Sequence, residues 1–314
     1  MAVNTRDLHT LSTLAGKTVI ITGGANGIGA ETVRLFNSYG ANTVIADLER
    51  TRAEAELVIR SLQHPSSALF IAANILIWNQ IKALFSQCIQ RYGKIDIVVA
   101  NAGIMESQSL FDIENVDDRG ELCESTEGFR VIDVNLKGTI NTLRLALYHM
   151  RHNRPTSPDG PRGSVVLVTS TSGYFGTTGV GAYITSKHGL TGLLRASQQV
   201  ARGLGIGVNA VAPFFTPTPT FEELAGKWKD SGLKSNTPGD VAEAIALTCT
   251  QNKTGKCHMV VGRKSVEVED SRSLLLEKWL GRETTGLLQS AGKLFEANGY
   301  PLPKRRREPC ETSG

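Results

Sequence analysis

From Gly16 onward, short β-branched apolar runs alternate with helical patterns along the chain. The runs are Val19 to Thr22, Val44 to Ala46, Ala68 to Ala72, Ile95 to Ala100, Ser164 to Thr169, Gly207 to Val211 and His258 to Val261. Each shows little polar alternation, as expected of strands covered on both faces. Stretches of helical periodicity separate them, including Asn79 to Arg91 and Ala182 to Leu204. The pattern predicts one α/β domain, a doubly wound parallel sheet of about seven strands with helices on both faces. Arg151 to Gly163, rich in Pro, Gly and charge, reads as a surface loop. Pro213 to Pro219 (PFFTPTP) breaks regular structure where a parallel strand ends, on the side of the sheet where ligands bind. The expected organisation is a polar extension over residues 1–13, the domain over 14–270, and a helical extension with a polar, disordered tail over 271–314. In that extension Leu276, Trp279 and Leu280 fall at helical spacing.

Two segments carry chemistry. Thr22-Gly23-Gly24-Ala25-Asn26-Gly27-Ile28-Gly29 lies between the first run and a helical stretch ending near Tyr39-Gly40. Strand, glycine loop and helix stand in the order of a phosphate site. Glycines permit close backbone approach to a pyrophosphate, and the amides and dipole of the following helix meet its charge. Asp47 ends the next strand, at the distance where a carboxylate meets ribose hydroxyls. Further on, Tyr183 and Lys187 are four residues apart and share one helix face. A lysine cation near a phenol favours the phenolate, so the pair is an acid/base device able to exchange a proton with an alcohol oxygen.

Composition narrows the remaining choices. The 34 basic and 30 acidic residues leave a net charge of +4, and the segment from Pro301 to Gly314 holds half of that excess. The folded part therefore gives no compositional case for nucleic acid or membrane binding. The basic run Lys304 to Arg307 reads as a solvated terminus, with a nuclear signal or an anionic-partner site as the other reading. The 5 cysteines are scattered without a CxxC pair or a histidine cluster, which suits reduced thiols and no metal site. Residues 1–13 lack an apolar core and no run approaches a membrane span, so a cytoplasmic protein is expected.

The glycine motif, Val99-Ala100-Asn101-Ala102-Gly103, Asn135, Ser170 and Tyr183-x-x-x-Lys187 together resemble the classical short-chain dehydrogenase/reductase family from about Leu14 to Asp270. The resemblance implies a Rossmann-type fold and a set of roles. Tyr183 is the general acid/base, and Ser170, thirteen residues earlier, holds the substrate oxygen; Thr171 and Ser172 compete for that place. Lys187 depresses the phenol pKa and binds the nicotinamide ribose, and Asn135 holds a proton-relay water. Gly23, Gly27, Ile28 and Gly29 surround the pyrophosphate. Asp47 and the Asn101-Ala102-Gly103 segment serve the adenosine ribose, and Pro213 and Thr218 serve the nicotinamide. Where family members that take NADP carry a basic group, this chain has Asn26 and Leu48, with only Arg50 further off, which implies NAD.

Three departures from the family pattern stand out. Asn74, followed by Ile75, replaces the usual aspartate at the adenine; Phe214 replaces a glycine; and Ile77 replaces a polar helix cap before Trp78. Phe175, Phe214, Phe215, Phe221, Trp228 and a mobile stretch between Thr216 and Lys234 are expected to choose the substrate. The expected protein is a homodimer or homotetramer that interconverts a secondary alcohol and a ketone on an apolar small molecule, in the manner of fungal secondary-metabolite members. The alternatives are non-redox chemistry on the same fold (dehydration, isomerisation or cyclisation) and a cofactor-binding regulatory module.

Overall fold

The computed structural model describes residues 8–155, 160–176, 179–218 and 222–300. Most of the expected N-terminal extension, the middle of the 151–163 loop, Phe221 and the tail with Lys304 to Arg307 lie outside the described residues. The strands are β1 (Thr18–Thr22), β2 (Asn42–Asp47), β3 (Ala68–Ala72), β4 (Ile97–Ala100), β5 (Gly163–Val168), β6 (Ile206–Pro213), β7 (Cys257–Val261) and β8 (Lys264–Glu267). They form one sheet in the order β3, β2, β1, β4, β5, β6, β7, β8. All neighbours are parallel except β7 and β8. The order reverses between β1 and β4, which opens a crevice at the carboxyl ends of those strands.

The sheet thus has eight strands, one beyond the seven apolar runs. Gly262 and Arg263 link β7 to β8 and both have positive φ, at 54° and 68°, the conformation of a two-residue hairpin turn. The hairpin was hidden because β8, Lys-Ser-Val-Glu, is too short and too polar to register as an apolar run.

Helices follow a single helical turn at Leu8–Leu11. They are α1 (Gly27–Ser38), α2 (Arg52–Arg60), α3 (Trp78–Tyr92), α4 (Thr126–Ile132), α5 (Gly138–Met150), α6 (Gly181–Ala196), α7 (Gln198–Leu204), α8 (Glu222–Asp230), α9 (Pro238–Thr250), α10 (Glu269–Leu280) and α11 (Arg282–Asn298). The alternation of side chains along each strand feeds two cores. Ile20, Val44, Val98, Val165 and Val208 pack with Ile81, Leu84 and Phe85 of α3 and with Leu143 and Ala146 of α5. Val19, Ile21, Ile45, Val99 and Val166 face the other way, toward Val33 and Phe36 of α1 and Val241 and Ile245 of α9. Residues through Glu269 form one compact unit, and those from Asp270 form a second made of the rest of α10 and α11.

Candidate active site

The glycine loop is built on contacts too close for any side chain. Gly23 and Gly27 have φ of 66° and 53°, and a Cβ on Gly29 would stand 2.0 Å from the Gly23 carbonyl oxygen. The backbone of the loop therefore folds against the first turn of α1, where no side chain caps the amides and no acidic residue intrudes. That leaves the positive end of the helix dipole facing an anion. Asp47 braces the loop from β2, its carboxylate accepting from Ala25 N at 3.1 Å and Leu48 N at 2.8 Å. Asn101 braces it from β4, donating through Nδ2 to the Thr22 and Gly23 oxygens at 3.0 and 3.1 Å. Thr218 comes within van der Waals reach of Gly27, so the segment after β6 meets the loop across the crevice. This cradle, which a Cβ would fill, fits the pyrophosphate of a dinucleotide.

Beyond β3, Asn74 Oδ1 accepts from Leu76 N at 3.0 Å, which leaves one lone pair of that oxygen for another donor. Ile75 is buried beneath it and holds Asn141 Nδ2 with its carbonyl at 3.1 Å. Ile77 caps nothing at the start of α3, as its side chain requires.

The second cluster lies on α6. Lys187 is buried and donates from Nζ to the Val168 carbonyl at 3.0 Å, with Nζ 5.4 Å from the centre of the Tyr183 ring. Gly103 sits beside both Lys187 Nζ and Asn135 Oδ1. Ser170 follows β5, accepts from Ser172 N at 3.1 Å and donates to the Pro213 carbonyl at 3.4 Å. Its turn reaches α6 because residue 173 is glycine: a Cβ there would stand 2.7 Å from the Lys187 carbonyl oxygen. Sequence reasoning passed over Gly173, whose part is close approach and not chemistry.

Asn135 lies in a π-helical turn, Asp133–Lys137, between α4 and α5. Its amide accepts from Ile104 N at 2.8 Å and donates to the Ile104 carbonyl at 2.9 Å and to Ser186 Oγ at 3.0 Å. Both amide hydrogens are thereby committed to protein, so the side chain acts as a brace between the segment after β4 and α6. Ser186, which completes that brace by donating to the Tyr183 carbonyl at 2.7 Å, carried no signal in the sequence.

Electrostatics depart from the sequence expectation in one respect. Burial raises the Tyr183 phenol above its ordinary value; the Ser170 hydroxyl opposes this and Glu106 adds to it. Desolvation of the phenolate thus outweighs the Ser170 hydrogen bond that favours it. Burial also lowers Lys187, from 10.5 to about 8. The unfolded chain holds that proton up to 10.5, whereas the folded protein releases it near 8, so between these values the unfolded state binds more protons and stability rises with pH. The gap corresponds to about 3 kcal/mol. Lys187→Met should remove this rise: in urea titrations from pH 8 to 10.5, wild type gains on the variant as pH increases. Parallel stability curves would contradict the buried, depressed lysine.

The expected aromatic set divides. Phe214 and Phe215 gather on Trp228 of α8, with ring centroids 5.4 and 4.4 Å apart. Phe175 stands apart from them in contact with Tyr174 and is 71% exposed. Among the described residues no group of metal-ligating side chains forms, and no helix is long and apolar enough to cross a membrane.

A crevice with a glycine cradle on one side and a serine, tyrosine and lysine on the other is matched by comparison with known proteins. The model of the short chain dehydrogenase family covers residues 17–228, and the chain belongs to that family. Short-chain dehydrogenase/reductase prx4 of Penicillium roqueforti is 32% identical over 294 residues, spanning 87% of this chain and 83% of the relative. The 3-oxoacyl-[acyl-carrier-protein] reductase FabG of Thermotoga maritima is 31% identical over 79% of this chain and 96% of its own. Among solved structures, 3-ketoacyl-(acyl-carrier-protein) reductase from Brucella melitensis, complexed with NADH, aligns with a TM-score of 0.68 at 27% identity. It covers 79% of this chain and 98% of that one. The protein is accordingly a Rossmann-type oxidoreductase of the short-chain family, which binds a nicotinamide cofactor.

Proposed function

We propose that this protein is an NAD-dependent oxidoreductase interconverting a secondary alcohol and a ketone on an apolar small molecule, in a fungal branch of secondary metabolism. The observation that carries the reading is the convergence of Ser170, Tyr183 and Lys187 beside Gly103, at the mouth of the glycine cradle. Bound there, the nicotinamide supplies the hydride acceptor for oxidation and the donor for reduction. The Ser170 hydroxyl orients the substrate oxygen and shares its developing charge. Tyr183 Oη takes the alcohol proton in oxidation and returns it in reduction. Lys187, fixed by the Val168 carbonyl, favours the phenolate and faces the ribose. Asn135 and Ser186 hold the helix of Tyr183 at its distance from the cofactor segment.

Phe214, Phe215 and Trp228 provide an apolar wall for the substrate. The Trp228 indole N–H is buried with no acceptor among the described residues. The fungal relative supports the branch. The intact serine, tyrosine and lysine favour redox chemistry over dehydration, isomerisation or cyclisation, and over a regulatory module. A homodimer or homotetramer in the cytoplasm accords with this reading.

The deciding experiment is NADH absorbance during incubation of the protein with NAD and a panel of cyclic secondary alcohols. Absence of any signal in either direction across alcohols and ketones would overturn the proposal. Cofactor choice rests on Asp47, whose carboxylate accepts from ribose hydroxyls and repels a 2′-phosphate. Asp47→Ala with Leu48→Arg should move the ratio of kcat/KM values toward NADP by removing repulsion and adding an ion pair. A wild type that prefers NADP, or an unmoved ratio in the double variant, would defeat this role for Asp47.

A further inference from the structure

The helix that carries Tyr183 begins without a cap of its own. Val180 occupies the cap position and has no side-chain oxygen to offer the first amides of α6. Those amides are met from a segment more than seventy residues earlier: Glu106 Oε1 accepts from Ala182 N at 2.9 Å and Oε2 from Tyr183 N at 3.0 Å. Both carboxylate oxygens are thus spent on the first turn, one of them on the backbone of Tyr183 itself.

The segment bearing Glu106 is pinned on either side. Asn135 grips both the N–H and the carbonyl of Ile104, and Glu127 of α4 accepts from Ser107 N and Oγ at 2.8 Å and from Gln108 N at 3.0 Å. Residues 104–108 therefore form a clasp that starts at the cofactor segment and closes on the catalytic helix. The charge of Glu106 is set in place by four side-chain-to-backbone bonds and one between side chains on its neighbours, so its position is defined by the fold and not by a free rotamer.

We infer that Glu106 is a positioning residue for proton transfer by Tyr183, clamping the backbone of the first turn of α6 and placing a fixed negative charge near the phenol as the counterweight to Lys187. The inference rests on the reading of Tyr183 as the acid/base group. Charged groups on the elements packed against α6 are Glu127 and Arg130 of α4, Asp133 and Lys137 of the π turn, Arg202 of α7 and Glu269 of α10, which is held in an ion pair by Arg195 at 2.8 Å; β6 and Thr171–Gly173 carry none. On α6 itself they are Lys187, His188 and Arg195. Of these and Glu106, the carboxylate of Glu106 is the charge that adds to the proton affinity of Tyr183. Such a counterweight keeps the phenol protonated to higher pH, which suits ketone reduction, where Tyr183 must give a proton, better than alcohol oxidation.

The test is an ultraviolet titration of the phenolate in the full chain without cofactor, with Tyr183 isolated by subtracting the Y183F protein. Glu106→Gln keeps the size and one acceptor but removes the charge, and should move the Tyr183 transition to lower pH. Glu106→Asn repeats the neutral arm with a shorter amide acceptor, should E106Q not fold. Glu106→Asp retains the charge and should restore the transition toward that of wild type. With NAD and the cyclic alcohols, the acid limb of kcat/KM should shift in E106Q by the same amount and in the same direction. A transition that stays at the wild-type pH in both neutral variants, with Y183F inactive, overturns the role of Glu106 alone and leaves it a helix cap. Near-normal turnover of Y183F overturns the reading of Tyr183 and this inference with it.

Discussion

Replacing Tyr183 by phenylalanine should lower turnover by about 10²- to 10⁴-fold while leaving fold and cofactor affinity in place. The hydroxyl is the only group lost. The ring still fills its place on α6 near Lys187, and the cradle at Gly23 to Gly29 is untouched. The lost hydroxyl also ends the competition between burial and Ser170 for the phenolate. Phenylalanine should therefore not destabilise the protein, since a buried group with a raised pKa is replaced by one with no polar atom to desolvate. Turnover, cofactor titration by fluorescence and the melting temperature check the three parts separately. Turnover near that of wild type would remove Tyr183 from the chemistry.

The second large effect should come from Gly29→Ala. A methyl group at residue 29 would stand 2.0 Å from the Gly23 carbonyl oxygen and 2.8 Å from Asn101 Nδ2, so the loop and the helix must part. Overpacking of this kind costs about 1–3 kcal/mol, and each 1.4 kcal/mol taken from binding is tenfold, so Kd for NAD should rise by about 10- to 100-fold. The melting temperature should fall with it, since Asn101 loses its grip on Thr22 and Gly23. Gly192→Ala is the control: it lies on α6 with nothing within 4 Å, and alanine there favours the helix. An unchanged Kd in Gly29→Ala would show that the cradle does not hold the cofactor.

How much of this was legible in the sequence depended on the kind of constraint. The glycine loop and the Tyr183/Lys187 pair could be read because the chemistry demands those residue types at those spacings. Seven strands could be read because burial leaves an apolar run, and even β3, half-buried at the sheet edge, keeps one. The eighth strand has one row of neighbours and only one apolar residue, Val266, between charged ends, so nothing in its composition marks it. The π turn at Asn135 arises from packing between α4 and α5 and has no residue signature. Glu106 and Glu127 act on backbone amides, which every residue presents, across chain separations no local pattern reports. The direction of the Tyr183 shift needed burial, a quantity set by the whole fold.

The short hairpin at the end of the sheet bears on how this protein behaves at high concentration. A parallel sheet that ended at β7 would present a longer apolar row of unpaired amides and carbonyls, ready to accept an added strand. Instead the outer row is β8, four residues long, reversed in direction and carrying Lys264 and Glu267. Short, charged borders of this kind discourage strand-to-strand aggregation. The hairpin turn at Gly262 and Arg263 thereby gives the sheet a short, charged border.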